Sequence, residues 1–423
     1  MLRIRHGRLI DPASGHDGVA DLWIDGGHIA AIGRAPKGAA NAREINAKGL
    51  VVCPGFADPG SHLREPGHEH KATIASEARA AAAGGFTTVC CTPDTQPVLD
   101  NASVIEHITQ RAVAAGAAQV VCLGALTVGL GGEVLAEMHA LKAAGCVGVT
   151  NLGRAVKDTA VLMHALAYAA SAELTVFLHP EDYWLARQGT MHEGAVSTRL
   201  GIPGIPAAAE VIAVHRDLTL LAEAGARAHF CKLSAGDSIK PIAEARKRGL
   251  PVTADVGIGN LCFTADDVGS FDANYHVRPP LRDARDRAAL RRGVRQGGID
   301  IIGAYHEPHD ADAKAAPFGL TEPGVSTYDT FLSSLLQLVA DGAFDLPTAL
   351  AGASLAPHRL LGQPGGTLDV GAPADVCAFD PAVRWHVTPA ALKSAGKNTP
   401  YLGQTLTGRV MFTLVGGRLV HQL

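Results

Sequence analysis

Residues 51–67 read Val-Val-Cys-Pro-Gly-Phe-Ala-Asp-Pro-Gly-Ser-His-Leu-Arg-Glu-Pro-Gly. Val51, Val52 and Cys53 form a short apolar run that reads as a buried strand, and Pro54-Gly55 punctuates it. Phe56-Ala57 then carries the chain to a cluster of polar residues, Asp58, His62 and Arg64, at the strand's end. A buried strand that delivers charge- and proton-carrying groups at its end is how a β/α enzyme presents its chemistry.

Working outward, the middle of the chain alternates between the two periods. Helical patterns at 73–83, 103–115, 133–144, 158–170, 208–224, 239–248 and 286–296 separate strand-like runs at 86–91, 119–127, 147–150, 174–179, 229–233, 251–255 and 299–305. Gly84-Gly85 ends the first helix where a C-terminal glycine is expected. Counted from Val51, eight strands alternate with helices, which predicts a (β/α)8 TIM barrel over 51–363. Between His179 and Ala208 neither period is clear, which predicts a longer loop. Alternating runs at 2–10 and 20–32 are matched in style by 374–379, 410–415 and 418–421. A small β-sandwich built from both termini, residues 1–50 with 364–423, is therefore expected beside the barrel.

Composition narrows the function classes. With 423 residues, 47% hydrophobic and 18% charged, the chain describes a well-cored globule rather than a disordered one. A net charge of −4 makes no electrostatic case for nucleic acid or an anionic membrane. The N-terminus lacks the apolar core of a signal peptide, and no window approaches the roughly 18 apolar residues of a membrane span. Eight scattered cysteines without a C-x-x-C pair read as reduced thiols, so a cytoplasmic location is expected.

The strand-end cluster, with its tail His62-Leu63-Arg64-Glu65-Pro66-Gly67, resembles the first barrel strand of the amidohydrolase superfamily, and within it the class I dihydroorotases. Residues 366–380 (G-T-L-D-V-G-A-P-A-D-V-C-A-F-D) resemble the closing signature of amidohydrolases, and 394–410 resemble the dihydroorotase C-terminus. The resemblance implies reversible opening and closure of dihydroorotate by metal-bound hydroxide, which needs roughly five or six histidine, carboxylate or carboxylated-lysine ligands for two cations. At the positions that match the family's ligands, this chain has Gly60, His62, Leu152, His179, Lys232 and Tyr305. Glycine and leucine cannot ligate, and an ammonium at Lys232 opposes a cation. Only His62 and His179 remain, so no zinc is expected. At the positions that match the substrate pocket stand Arg64, Asp94, Arg278 and His309, with Asp94 replacing a neutral amide.

The resemblance is strongest to the dihydroorotase-like non-catalytic chain of bacterial aspartate carbamoyltransferase. It implies a pseudoenzyme of pyrimidine biosynthesis that assembles the transcarbamoylase catalytic chains into a large hetero-oligomer. Two alternatives stand beside that expectation. One is a divergent amidohydrolase that opens a cyclic amide by a metal-poor mechanism built on His62, His179, His306 and Lys232. The other is a small-molecule sensor that uses Arg64 and His309 to hold a carboxylate. Among the remaining groups, Lys232 is expected in a salt bridge with Asp94, Asp255 or Glu307, and Cys231 is expected in the core rather than as a nucleophile.

Overall fold

A computed structural model describes residues 1–423. Eight strands form the barrel: β1 (Phe56–Ser61), β2 (Phe86–Cys91), β3 (Gln119–Ala125), β4 (Gly148–Thr150), β5 (Thr175–Leu178), β6 (Ala228–Phe230), β7 (Val252–Gly257) and β8 (Ile301–Gly303). Each pairs in parallel with the next. The seam between last and first is closed just past β8. There the His62 N–H donates to the His306 carbonyl at 2.9 Å, and the Tyr305 N–H donates to Asp58 Oδ1 at 2.9 Å. The expected (β/α)8 barrel is the architecture found.

The terminal segments form a second sheet, in the order Arg418–Gln422, Thr405–Val415, Val376–His386, Val51–Pro54, Leu2–Asp11, His16–Asp25, His28–Ile32. Its two halves fold over a shared apolar cluster that includes Ile4, Leu22, Val52, Val376 and Leu414. Val51–Pro54 thus pairs with both termini instead of opening the barrel. The break falls at Gly55, where a Cβ would stand 2.1 Å from Thr87 Cγ2, so a side chain has no room as the path turns past β2. The Gly55 N–H is meanwhile taken up by the Asp375 carbonyl at 2.9 Å. The barrel proper begins at Phe56, not at Val51.

Helix signals in the sequence are met where capping is explicit. Thr73 accepts from the Ser76 N–H and starts Ile74–Ala83, and Asp158 caps Thr159–Ser171. The helix Ala208–Ala224 keeps the bounds read from its pattern. The pattern at 133–144 yields only Met138–Ala143, because the Val128 N–H bonds the Val134 carbonyl and folds the preceding residues into a turn. The stretch between His179 and Ala208 contains two short helices, Tyr183–Ala186 and Ala195–Leu200, and a small ribbon, Met191–His192 with Gly204–Ile205. Below the mouth, Phe56, Phe86 and Phe331 meet edge to face with centroids 5.0–5.8 Å apart, so the helix Tyr328–Ala340 is packed against β1 and β2. No helix is long and apolar enough to cross a membrane.

Candidate active site at the barrel mouth

Three strand ends share one backbone device. Two residues past β4, β6 and β8, Leu152, Lys232 and Tyr305 take positive φ values of 52°, 55° and 48°. A left-handed conformation outside glycine costs on the order of 1 kcal/mol, and such residues concentrate where a side chain must be aimed. Arg64, three residues past the end of β1, joins them at 67°.

Tyr305 is the centre of the arrangement. Its ring lies over Gly60, where a Cβ would come within 2.8 Å of Tyr305 Cε1. Its hydroxyl bonds Asp255 Oδ2, and burial followed by the Asp255 charge holds its pKa well above the usual range. Asp255 also accepts from His229 Nε2 at 2.7 Å and from the Lys232 N–H at 2.6 Å. His229 is fixed on its other side by Thr253 Oγ1 at 2.7 Å. The Lys232 ammonium does not make the expected salt bridge. It rests 4.8 Å from the centroid of the Tyr305 ring, a cation–π placement.

Across the mouth, His62 Nδ1 meets Asp94 Oδ2 at 2.7 Å, and its Nε2 faces Glu307 Oε2 at 3.7 Å. Burial pushes the Asp94 carboxyl up, but His62 and Arg64 outweigh it and hold it well below the usual range. Glu307 is lowered to about 2, because His62, Arg64, Lys232 and His309 together overcome its burial. The Arg64 Nε–H donates to the Pro308 carbonyl at 3.0 Å, and its guanidinium reaches Glu307 at 3.3 Å. His309 stands 3.0 Å from that guanidinium, and burial followed by Arg64 lowers its pKa to about 4. His179, on the floor beside Lys232, is pushed well below its ordinary value by burial and then by Lys232, so its imidazole is neutral. Arg278 is paired with Glu181.

Two residues weighed from the sequence lie elsewhere. His306 is fully buried, with Nε2 on Glu77 at 2.7 Å and its ring stacked on Tyr328 at 3.9 Å, so it holds the scaffold and does not face the mouth. Cys231 is buried, and burial raises its thiol well above the usual range, in keeping with a core role. Asp255 and His229 gave no motif signal as site residues. The one available signal was the pairing of a glycine on β1 with a tyrosine after β8, a small-for-large exchange across the seam. A cleft opens beside these groups, lined among others by Lys232, Asn260, Arg278, Tyr305 and Glu307.

A closed parallel barrel with its titratable groups at the C-terminal strand ends is the arrangement of a TIM-barrel protein with its site at the mouth. Residues 49–238 match the family described as Dihydro-orotase-like. The chain is 47% identical over 414 residues to a "Dihydroorotase-like protein" of Pseudomonas putida, covering 98% of this chain and 97% of that one. It is 44% identical over 424 residues to a "Dihydroorotase" of Anaeromyxobacter sp. (strain K), covering 100% and 98%. In fold it superposes on the L-hydantoinase of Arthrobacter aurescens with a TM-score of 0.87 at 24% identity, over 100% of this chain and 96% of that one. The chain belongs to the dihydroorotase-like family.

The expectation that the chain is not an enzyme is corrected by this comparison, since a relative 44% identical along its whole length is named a dihydroorotase. At the mouth the structure shows the Tyr305–Asp255–His229 chain, the Lys232 ammonium and the His62–Asp94 pair.

The donors at the mouth do not fit a pair of bridged cations. Of the positions that match the family's ligands only His62 and His179 are histidines, Gly60 and Leu152 offer no donor, and His179 lies beside an ammonium. The groups with three donors close together are His229–Cys231–Asp255 and His192–Asp283–Asp286, and neither contains His62 or His179. In the first of them, the carboxylate and imidazole already satisfy one another.

Because the Tyr305 ring occupies the space above Gly60, Gly60→His should lower the unfolding temperature. The penalty should shrink when Tyr305→Ala is added. Thermal unfolding of the four proteins of this cycle measures the coupling, and equal penalties in both backgrounds would mean that the ring is not the obstacle.

Proposed function

We propose that the chain is a divergent cyclic amidase of the dihydroorotase-like family that opens a ring amide without a pair of metal ions at the mouth. The observation that carries this reading is the His62–Asp94 pair, whose Nε2 lies 3.7 Å from Glu307, a residue that lines the cleft together with Lys232. In this reading, a water oxygen attacks the ring carbonyl carbon and gives a proton to His62 Nε2. Asp94 stabilises the imidazolium through Nδ1–H. The Lys232 ammonium faces the oxygen on which negative charge develops, in a site where few waters compete. The ring C–N bond then breaks, and His62 returns the proton to the leaving nitrogen, so base and acid are the same group. Neutral His179 is suited to hydrogen-bond the substrate without adding charge. His306, part of the metal-poor mechanism considered from sequence, takes no part because Glu77 and Tyr328 enclose it.

The test is hydrolysis of dihydroorotate, dihydrouracil and hydantoin between pH 6 and 9, followed by chromatography. At least one ring should open. His62→Asn should reduce that turnover by about 10²-fold or more, the usual weight of a general acid–base group. Absence of turnover on all three, or a fully active His62→Asn variant, would contradict the reading.

We also propose, from the resemblance to the chains that accompany aspartate carbamoyltransferase, that the protein assembles with catalytic chains of that enzyme. The hydrolytic groups lie inside the mouth, which leaves the outer face for contacts. Tyr183, Trp184 and Leu185, in the loop that follows β5, are 38%, 61% and 41% exposed and offer apolar surface for such a contact. Light scattering on the two chains, alone and mixed, should reveal a larger species with upwards of about 1,000 Å² buried per contact. Two separate peaks from the mixture would contradict assembly.

A further inference from the structure

The cleft at the mouth has two unlike ends. At one end Lys232, Arg278 and Glu307 line it. Arg278 is neutralised by Glu181 and Glu307 by Arg64 and its neighbours, whereas the Lys232 ammonium rests on a ring face. The Lys232 ammonium thus makes no ion pair with a carboxylate, and it is the cation there that an anionic group of a ligand can meet. At the other end stand Phe263, Tyr275 and Tyr401. The Phe263 ring centroid lies 5.2 Å from that of Tyr275 at 88° and 5.2 Å from that of Tyr401 at 48°. Phe263 and Tyr275 are only half-buried, although both belong to an aromatic cluster. Their uncovered faces border the same cleft as Lys232.

Aromatic faces left open to a cleft favour a further ring at a centroid distance of 4.5–7 Å. We infer that the ligand of this site is a monoanion with an aromatic-sized apolar arm, its anionic end at Lys232 and its arm among Phe263, Tyr275 and Tyr401. The inference rests on the proposed amidase site and names its substrate class: a cyclic amide carrying an aryl or comparably bulky apolar substituent, or the ring-opened carbamoyl acid derived from it.

The experiment is isothermal titration calorimetry on the full chain with N-carbamoyl-phenylalanine and N-carbamoyl-aspartate, each enantiomer separately. One enantiomer of the phenylalanine compound should bind at least tenfold tighter than either aspartate compound. Phe263→Ala should bring the two affinities to within about twofold of each other, and Lys232→Met should weaken both; thermal unfolding checks that each variant is folded. Tighter or equal binding of the aspartate compound overturns the inference, as does no binding of either or a preference that survives Phe263→Ala. Binding is read without turnover, so the outcomes separate. An aryl preference without hydrolysis leaves the ligand class standing and removes the amidase reading, whereas hydrolysis with no aryl preference does the reverse.

Discussion

The mouth of the barrel hangs from one buried carboxylate. Asp58 is fully enclosed, and its two oxygens accept from the Tyr305 N–H at 2.9 Å and the His306 N–H at 3.3 Å across the seam between the first and last strands. The Tyr328 hydroxyl approaches the same group at 3.3 Å. Burial raises the Asp58 pKa to about 6, and the two backbone donors pull against that rise. This clamp sets where Tyr305 leaves the strand. Tyr305 in turn fills the space over Gly60 and bonds Asp255, and Asp255 holds the backbone of Lys232. A buried carboxylate with its acceptor sites filled fixes geometry well, because moving any partner exposes an unsatisfied charge. The seam of the barrel and the chemistry of its mouth are thus one hydrogen-bonded unit.

The same left-handed turns at Leu152, Lys232 and Tyr305 would carry any side chain placed there. Backbone strain of this kind is kept by the surrounding packing rather than by the identity of the aimed residue. A barrel can therefore exchange the groups at its mouth while its strands, seam and aromatic floor stay as they are. Lys232 presents a charge and Tyr305 a ring with a polar tip, and both line the cleft at the mouth.

Much of the fold was legible because it rests on local signals. The glycine pair after Ala83 marked a helix end in the sequence, helical patterns began at Thr73 and Asp158, which cap those helices, and the alternation of apolar runs counted the strands. The misassigned pieces all depended on distant partners. Val51–Pro54 reads as a buried strand in either sheet, and only its pairing with residues 2–11 and 376–386 decides which one. The residues at 133–137 carry a helical pattern that a hydrogen bond from Val128 overrides. At the site, sequence placed Arg64, Asp94, Lys232 and Glu307 near one another, but not who pairs with whom. Lys232 has carboxylates in its vicinity and still rests on the ring of Tyr305, because Asp255 is engaged by His229, the Tyr305 hydroxyl and the Lys232 backbone. Motif reasoning also weighed replaced positions singly, so the complementarity of Gly60 and Tyr305 and the structural burial of His306 went unseen.

The central claim is that the mouth works through its own side chains and not through a bound pair of cations. The most direct measurement joins metal analysis to turnover on one preparation, dialysed against a chelator and assayed by mass spectrometry for zinc, manganese, cobalt and nickel. The account predicts well under one metal ion per chain and ring-opening activity that the chelator leaves unchanged. Activity that disappears on chelation and returns in proportion to one or two added metal ions per chain would contradict it.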